Sequence, residues 1–191
     1  MTTKCIGKIQ PLVCLTIILA FLTVPLMAKE VYRGRMLTGK APVEPAAVDI
    51  QIEIESWTTP EEIIEFNRVL ASSGSDAFLS LFNSTKKGVV RFLYARGYNL
   101  TIHMAQAQEE ENGKKIILVL RREPWSQGSQ LGVGRNYFMA IELNLNKEGK
   151  GEGRFYEDAQ IEMDVMGGKV YLKSYESSPK IISSVKETKK K

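Results

Sequence analysis

One histidine and a set of scattered carboxylates are the side chains of this chain best suited to acid–base chemistry. His103 is the only histidine in the 191 residues. It falls on the polar phase of an alternating stretch, so we expect it to face solvent or a groove. A histidine base needs an orienting carboxylate and a nucleophile beside it, and the sequence places neither. An ordinary surface histidine is therefore the favoured interpretation.

Paired carboxylates would suit the cleavage of glycosides. The chain has 22 acidic residues, so a chance meeting of two of them would carry little meaning, and we interpret them as solvated strand faces. No Gly-x-Ser-x-Gly elbow of a serine hydrolase occurs. We therefore lean towards a non-enzymatic protein and keep a small hydrolase using His103 or carboxylates as an alternative. The acids that could meet in a cleft are Glu55, Glu123, Glu142, Glu157 and Asp158.

A long non-periodic insertion, residues 123–136, interrupts the second half of the chain and is rich in glycine. Loops on rigid sheets are where ligand contacts concentrate. The insertion is either a lid over a cavity or a loop fixed by a packed Trp125, and the second interpretation is favoured. The candidate ligand-binding residues are Trp125, Gln127, Gln130, Arg135 and His103.

Metal and nucleotide sites are not expected. Catalytic zinc sites usually draw several ligands from His and Cys, and no acidic loop with calcium-binding spacing occurs. Residues 34–40 match most of a phosphate-binding P-loop, but Ala41 replaces the required Ser or Thr and no strand is predicted before it. We interpret this segment as a linker and predict no metal and no cofactor.

The first 28 residues have the features of an export signal. Lys4 and Lys8 precede an apolar run over residues 12–27, and a cleavage site follows Ala28. Both cysteines lie in this leader, so the predicted mature domain has no thiol and would work in the periplasm or outside the cell. A retained membrane anchor would need about 20 apolar residues. The run is shorter, so cleavage is favoured, with no transmembrane span left afterwards.

Removal of 28 of the 191 residues leaves 163, the size of one domain. The leader holds two of the 26 basic residues and none of the 22 acidic ones, so the mature charge would be 24 minus 22, or +2. This charge indicates no particular partner, and no nucleic acid is expected. We predict a flexible arm over residues 29–47, a domain over 48–185 and a disordered basic tail over 186–191. Arginines expected in cross-strand ion pairs rather than a basic face are Arg91, Arg96, Arg121, Arg122, Arg135 and Arg154.

The first predicted strand, residues 48–55, alternates apolar and polar side chains. Thr59-Pro60-Glu61-Glu62 then has the pattern of a capping box with proline at the first helical position. Apolar residues follow at helical spacing up to Gly74, and a second helix is predicted from Ser75. The expected unit is a helical hairpin inserted after the first strand.

The remainder is predicted as antiparallel β-structure. The apolar run 116–120 predicts a central strand buried on both faces. Strand 98–106 is expected to place Leu100, Ile102 and Met104 on one face, and the last strand, 181–185, is expected at an edge. The predicted fold is α+β, a twisted antiparallel sheet of six to eight strands, partly closed like a lipocalin barrel, with the helical hairpin covering one face or end.

Several short motifs resemble those of small exported bacterial proteins of soil bacteria such as acidobacteria, a group without an assigned function. The resemblance implies a secreted bacterial single domain over residues 48–185 and transfers no catalytic residue. It rests on Trp57-Thr58-Thr59, Gly97-Tyr98-Asn99-Leu100, Arg121-Arg122-Glu123-Pro124, Ile141-Glu142-Leu143-Asn144-Leu145 and Gly149-Lys150-Gly151-Glu152-Gly153.

Three functional hypotheses follow, each with a structural consequence. A carrier of a small apolar ligand, lipid or envelope component, the leading hypothesis, requires an apolar cavity between sheet and helices. A structural or protein-interaction module of the cell envelope predicts a solid core with an exposed apolar patch or an unprotected edge strand. A small hydrolase requires a cleft in which a base meets a second polar group. The sequence leaves the oligomeric state and the identity of any ligand open.

Overall fold

The computed structural model describes residues 29–37, 47–93, 99–122, 138–175 and 178–188. The predicted leader, residues 1–28, lies outside these ranges. The described chain forms nine strands and one helical span. The elements are β1 Glu30–Leu37, β2 Ala47–Ile54, α1 Pro60–Ser84, β3 Gly88–Phe92, β4 Asn99–Glu110, β5 Gly113–Arg121, β6 Phe138–Asn146, β7 Lys150–Asp164, β8 Lys169–Tyr175 and β9 Lys180–Glu187.

Eight of the strands close into a barrel in which every pairing is antiparallel. The order is β6-β5-β4-β3-β2-β1-β9-β7, and a further pairing of β6 with β7 closes the ring. The remaining strand, β8, lies outside the ring and pairs with the C-terminal part of β7, from Ala159 to Asp164. The predicted barrel-like antiparallel sheet is confirmed, with one strand more than the six to eight expected.

The interior of the barrel is filled by apolar side chains. Strand β5 shows how the sequence specifies this packing, because Ile116, Leu118 and Leu120 point inwards while Ile117 and Val119 point outwards, and all five are buried. The predicted strand buried on both faces is therefore confirmed. The largest interior side chains, each less than 2% exposed, are Tyr32, Ile50, Ile52, Ile54, Ile102, Ile116, Leu118 and Leu120.

The span α1 begins with the predicted capping box. The Glu62 amide donates to Thr59 Oγ1 at 3.3 Å, and the Thr59 amide donates to Glu62 Oε2 at 2.9 Å. The span contains two helices that meet at a sharp kink at Gly74, whose backbone is not helical (φ 79°). Sixteen residues of straight helix would cover about 24 Å, yet the rings of Phe66 and Phe82 are 6.2 Å apart, so the bend folds the chain back.

The bent helix lies against the outer face of the barrel, not inside it. Phe66, Phe78 and Phe82 pack on Met104 and Phe138, whose side chains project outwards from β4 and β6. The β7–β8 hairpin contributes further apolar side chains to this second core. A glutamine of β4 fastens the hairpin: Gln106 Nε2 donates to the Gly168 carbonyl at 2.7 Å, and the Val170 amide donates to Gln106 Oε1 at 2.8 Å.

The predicted N-terminal arm is wrong for residues 30–37, which form β1 between β2 and β9. Tyr32 and Met36 point into the core, but Gly34 occupies the inward position between them and breaks the apolar alternation. A Cβ on Gly34 would lie 2.8 Å from Ile182 Cγ2, so the close approach of β9 requires glycine there. The same pairing excludes a phosphate-binding loop at Gly34. Residues 38–46 lie outside the described ranges.

Two predictions about the C-terminus are also corrected. Strand β9 pairs with β1 on one side and β7 on the other, so it closes the barrel instead of lying at an edge. Lys186 and Glu187, expected in the tail, belong to β9 because they pair with Arg33 and Tyr32. Among the described residues, no helix is long and apolar enough to cross a membrane.

Candidate functional site

His103 lies at a bulge in β4, covered by the C-terminal part of α1. The pairing with β5 shifts there, from Ile102 opposite Leu120 to Met104 opposite Val119. The bulge turns Met104 to the outer face, so the prediction that Met104 shares a face with Leu100 and Ile102 is wrong.

The His103 side chain is buried, with 8% of the residue exposed, because the Phe82 ring lies 4.7 Å from the imidazole. Nδ1 is 2.7 Å from the Thr85 carbonyl oxygen, which fixes the proton on Nδ1. His103 also lines a small groove of about 240 Å³ with Asn83, Asn99 and Arg121. The sequence predicts a histidine that faces solvent or a groove, and His103 lines a groove although α1 covers most of its side chain.

Four of the five candidate carboxylates lie in the described part of the chain, each with its own cation. The fifth carboxylate, Glu123, falls outside the described ranges. So do four of the five predicted ligand-binding residues, Trp125, Gln127, Gln130 and Arg135. Each of the four described carboxylates therefore neutralises a different cation, as the pairs below show. The pairs are Glu55–Lys86 at 3.2 Å, Glu142–Lys115 at 2.9 Å, Glu157–Lys180 at 2.7 Å and Asp158–Arg122 at 2.9 Å.

One end of the barrel is closed by a compact charged cluster. The Tyr32 hydroxyl donates to Glu30, and Lys114 Nζ lies 3.2 Å from Glu30, 3.6 Å from Glu187 and 5.3 Å from the centre of the Tyr32 ring. Burial and the neighbouring carboxylates raise the pKa of Tyr32. Lys114 is thus shared by two carboxylates, Glu30 and Glu187, and these side chains cover the buried Tyr32 ring.

The outer wall formed by β9, β1, β2 and β3 differs from the rest of the barrel. The helical span α1 packs on strands β4 to β8, whereas within the described residues the wall carries exposed side chains such as Arg33, Arg35 and Lys186. We call this surface the outer wall. On this wall the described cations outnumber the acids, and the ion pairs leave some of these cations without a carboxylate.

Glu53 gathers two cations on the outer wall. Its side chain is 8% exposed and accepts from Arg91 Nε at 3.0 Å and from the Lys29 ammonium. These hydrogen bonds, first from Arg91 and then from Lys29, lower the pKa of Glu53 to about 2. The second acid of the wall, Asp49, pairs with Arg35 at 2.9 Å. Both carboxylates are thus already occupied.

Arg33 and Lys186 are left without a carboxylate. They are directly opposite each other in the β1–β9 pairing, and the described part of the chain places no acidic oxygen within 4.0 Å of either. Arg33 Nε donates only to the amide oxygen of Gln51, at 3.0 Å. Lys150 is opposite Lys186 on the other side of β9, paired with Glu148. Like charges facing each other across a sheet destabilise it, so this row is unfavourable for the isolated protein.

An open groove of about 480 Å³ lies beside these two cations. Arg33, Arg35, Ser184 and Lys186 line it, and we call it the basic groove. Ser184 has a left-handed backbone with φ 54°, at the point where the pairing of β9 with both neighbours shifts. A non-glycine residue in this region is strained, and such strain concentrates at functional sites.

Three exposed aliphatic side chains lie near the basic groove, on β1, on β9 and directly after β3. Leu93 is 56% exposed and lines the groove, Leu37 is 43% exposed and Ile181 is 39% exposed. Met36 and Ile182 are paired across the antiparallel strands β1 and β9, so Leu37, one residue after Met36, and Ile181, one residue before Ile182, lie side by side. We call these three residues the aliphatic rim.

Sequence reasoning missed the basic groove, since Arg33 falls in the predicted arm and Lys186 in the predicted tail. Their juxtaposition depends on the pairing of the first described strand with the last, for which no local pattern gives a signal. Within the described residues, no group of three or more His, Cys, Asp or Glu side chains could hold a metal ion. No family model, curated protein or solved structure matches the chain.

Proposed function

We propose that this protein is an exported, non-enzymatic binding module that attaches to an anionic partner through the outer wall of its barrel. The observation that carries the proposal is the opposition of Arg33 and Lys186 without a carboxylate beside either. An anionic partner seated in the basic groove would offset this repulsion, whereas no described group of the protein does so. Its charge would match the surface that it covers.

The packing of the two cores supports a surface function over a ligand cavity. Within the described residues, apolar side chains fill the barrel interior, and aromatic rings fill the space between α1 and the barrel. The expected cavity between sheet and helices is occupied by Phe66, Phe78, Phe82 and Phe138. A solid core with exposed aliphatic residues is the combination expected of an interaction module.

Contacts of the candidate acid–base residues also suit structural roles. His103 bonds the Thr85 carbonyl oxygen under Phe82, and the four described candidate carboxylates neutralise cations. These arrangements explain the residues without a reaction.

Retention on immobilised heparin, a dense polyanion, tests the proposal. The double variant Arg33→Gln/Lys186→Gln should elute at clearly lower salt than the unaltered protein, because it loses two cations that lack carboxylates and face each other across the β1–β9 pairing. The control Lys169→Gln/Lys173→Gln removes the same charge from β8, outside the ring of the barrel. Equal shifts for the two variants would show that net charge alone governs retention and would overturn the proposal.

The export component of the proposal has its own measurement. Intact-mass analysis of the protein recovered from the periplasm or medium of an expressing bacterium should give a chain beginning at Lys29. A mass that retains residues 1–28 would support the membrane-anchor alternative instead.

A further inference from the structure

We infer that the anionic partner is a phospholipid bilayer, with lipid phosphates in the basic groove and the aliphatic rim in the interfacial layer. The inference rests on the proposed function and adds the chemical class of the partner. It combines two neighbouring features of the outer wall, the basic groove and the aliphatic rim, that a soluble polyanion would not use together.

The groove offers donors suited to a phosphate. Arg33 presents a guanidinium whose Nε donates to Gln51 at 3.0 Å, Lys186 faces it from β9, and Ser184 lines the same groove. Planar guanidinium groups bind phosphate oxygens with two parallel hydrogen bonds, and ammonium groups add a point charge. Asp49 also lines the groove, but Arg35 neutralises it, so the surplus charge is positive.

The aliphatic rim supplies the second requirement of membrane attachment. One exposed leucine on a protein surface is ordinary, but Leu37, Leu93 and Ile181 are all more than a third exposed. Leu93 lines the groove, and Leu37 lies two residues beyond Arg35, which also lines it. Stable attachment of a peripheral protein combines apolar insertion with attraction to anionic lipids. The two features together therefore favour a bilayer over a charged polymer or another protein.

The positions of the basic groove and the aliphatic rim also determine how the protein would be oriented on the bilayer. The outer wall would face the bilayer with the barrel end that carries Leu37 and Leu93 dipping into the headgroup layer. The bent helix packs against other strands, β4 to β8, and would remain in solution.

Co-sedimentation with vesicles tests the inference on the exported protein. Binding is expected to an equal mixture of phosphatidylcholine and phosphatidylglycerol, and little to phosphatidylcholine alone. Each basic residue near an anionic surface strengthens partitioning about fivefold, so Arg33→Gln/Lys186→Gln should weaken binding about 25-fold. Added salt should weaken binding of the unaltered protein as well.

A second pair of variants separates the bilayer from other anionic partners. Leu37→Ser/Ile181→Ser should reduce vesicle binding but leave heparin retention unchanged, because it removes no charge. Its control, Ile64→Ser/Leu70→Ser, changes two aliphatic residues of α1 with similar exposure, 46% and 39%, and should alter neither measurement. Circular dichroism confirms that each variant is folded.

The outcomes distinguish this inference from the proposed function. Heparin retention that depends on Arg33 and Lys186, without binding to the mixed vesicles, would overturn the bilayer inference and leave the proposed function standing. Vesicle binding that is insensitive to Leu37→Ser/Ile181→Ser would also overturn the inference. Insensitivity of both measurements to Arg33→Gln/Lys186→Gln would overturn both.

Discussion

Replacing Glu53 by glutamine is expected to destabilise the protein at neutral pH and to have little effect near pH 2. Glu53 is the carboxylate on which the charge balance of the outer wall depends. It accepts hydrogen bonds from Arg91, Lys29 and Gln51 while its own side chain is only 8% exposed. The variant Glu53→Gln keeps the shape of the side chain but removes its charge, so Arg91 and Lys29 lose their anionic partner.

The structure sets the size of the effect. Lowering the pKa of Glu53 from its ordinary 4.5 to about 2, at about 1.36 kcal/mol for each pH unit, gives a ceiling of about 3.4 kcal/mol. The cations are more accessible, with the side chains of Lys29 and Arg91 34% and 43% exposed. Solvent screens pairs of this kind. We therefore expect a loss of about 1–2 kcal/mol in the free energy of unfolding at pH 7.

The pH dependence follows from the direction of the pKa change. Because the folded protein lowers the pKa of Glu53, its charged form stabilises the fold fully above pH 4.5, and this contribution is lost between pH 4.5 and about 2. Urea unfolding followed by tryptophan fluorescence would measure it, since Trp57 packs against the barrel core. The difference between the unaltered protein and Glu53→Gln should shrink across that interval.

The neighbouring pair on the same wall provides the control. Asp49→Asn removes the partner of Arg35, but these side chains are 56% and 60% exposed, so no measurable change in stability is expected. A stability loss for Glu53→Gln that stays constant from pH 7 to pH 2 would refute the charge argument. It would show that the amide disturbs packing instead.

Three further substitutions test other features. Ser184→Gly should raise the free energy of unfolding by about 0.5–1 kcal/mol, because glycine adopts φ 54° without strain; an unchanged or lower urea midpoint would contradict this. Thr58→Val should cost about 1–3 kcal/mol by the same measurement, since the buried Ala105 amide loses the Thr58 hydroxyl that accepts its hydrogen bond at 2.9 Å; a cost near zero would mean that the amide finds another acceptor. Gln51→Glu should lower heparin retention by giving Arg33 a carboxylate, whereas Gln160→Glu, which adds the same charge at an exposed position of β7, should lower it less; an equal drop for both would contradict this.

The sequence predicts those parts of the fold that depend on a pattern of residues close together in the chain. The capping box at Thr59 and the doubly buried run 116–120 of β5 each depend on residues close together in the chain, and both are present. The alternation in β6, with Met139, Ile141 and Leu143 facing inwards, has the same origin. These features depend on residues that are neighbours in the chain, so the sequence predicts them without the positions of distant strands.

The wrong predictions depend on distant contacts. Strand β1 lacks a recognisable alternation because Gly34 accommodates Ile182 of β9, which only the closed barrel reveals. The phase of β4 changes at the bulge beside His103, and no residue type there signals the extra position. The candidate site depends on a distant contact of the same kind, because Arg33 and Lys186 become neighbours only when the first and last described strands pair.

The positive charge of Arg33 in the basic groove is not neutralised because its neighbour Gln51 carries an amide and not a carboxylate. Gln51 donates through Nε2 to Glu53 at 2.7 Å, and its oxygen accepts from Arg33 at 3.0 Å, so its orientation is set from both sides. A carboxylate at position 51 would face Glu53 at close range, a repulsive arrangement, whereas the amide satisfies an acid on one side and a cation on the other. Gln51 thereby orients the Arg33 guanidinium without neutralising it. Arg33 is therefore held in place with its charge still available, which is the property that a site for an anionic partner requires.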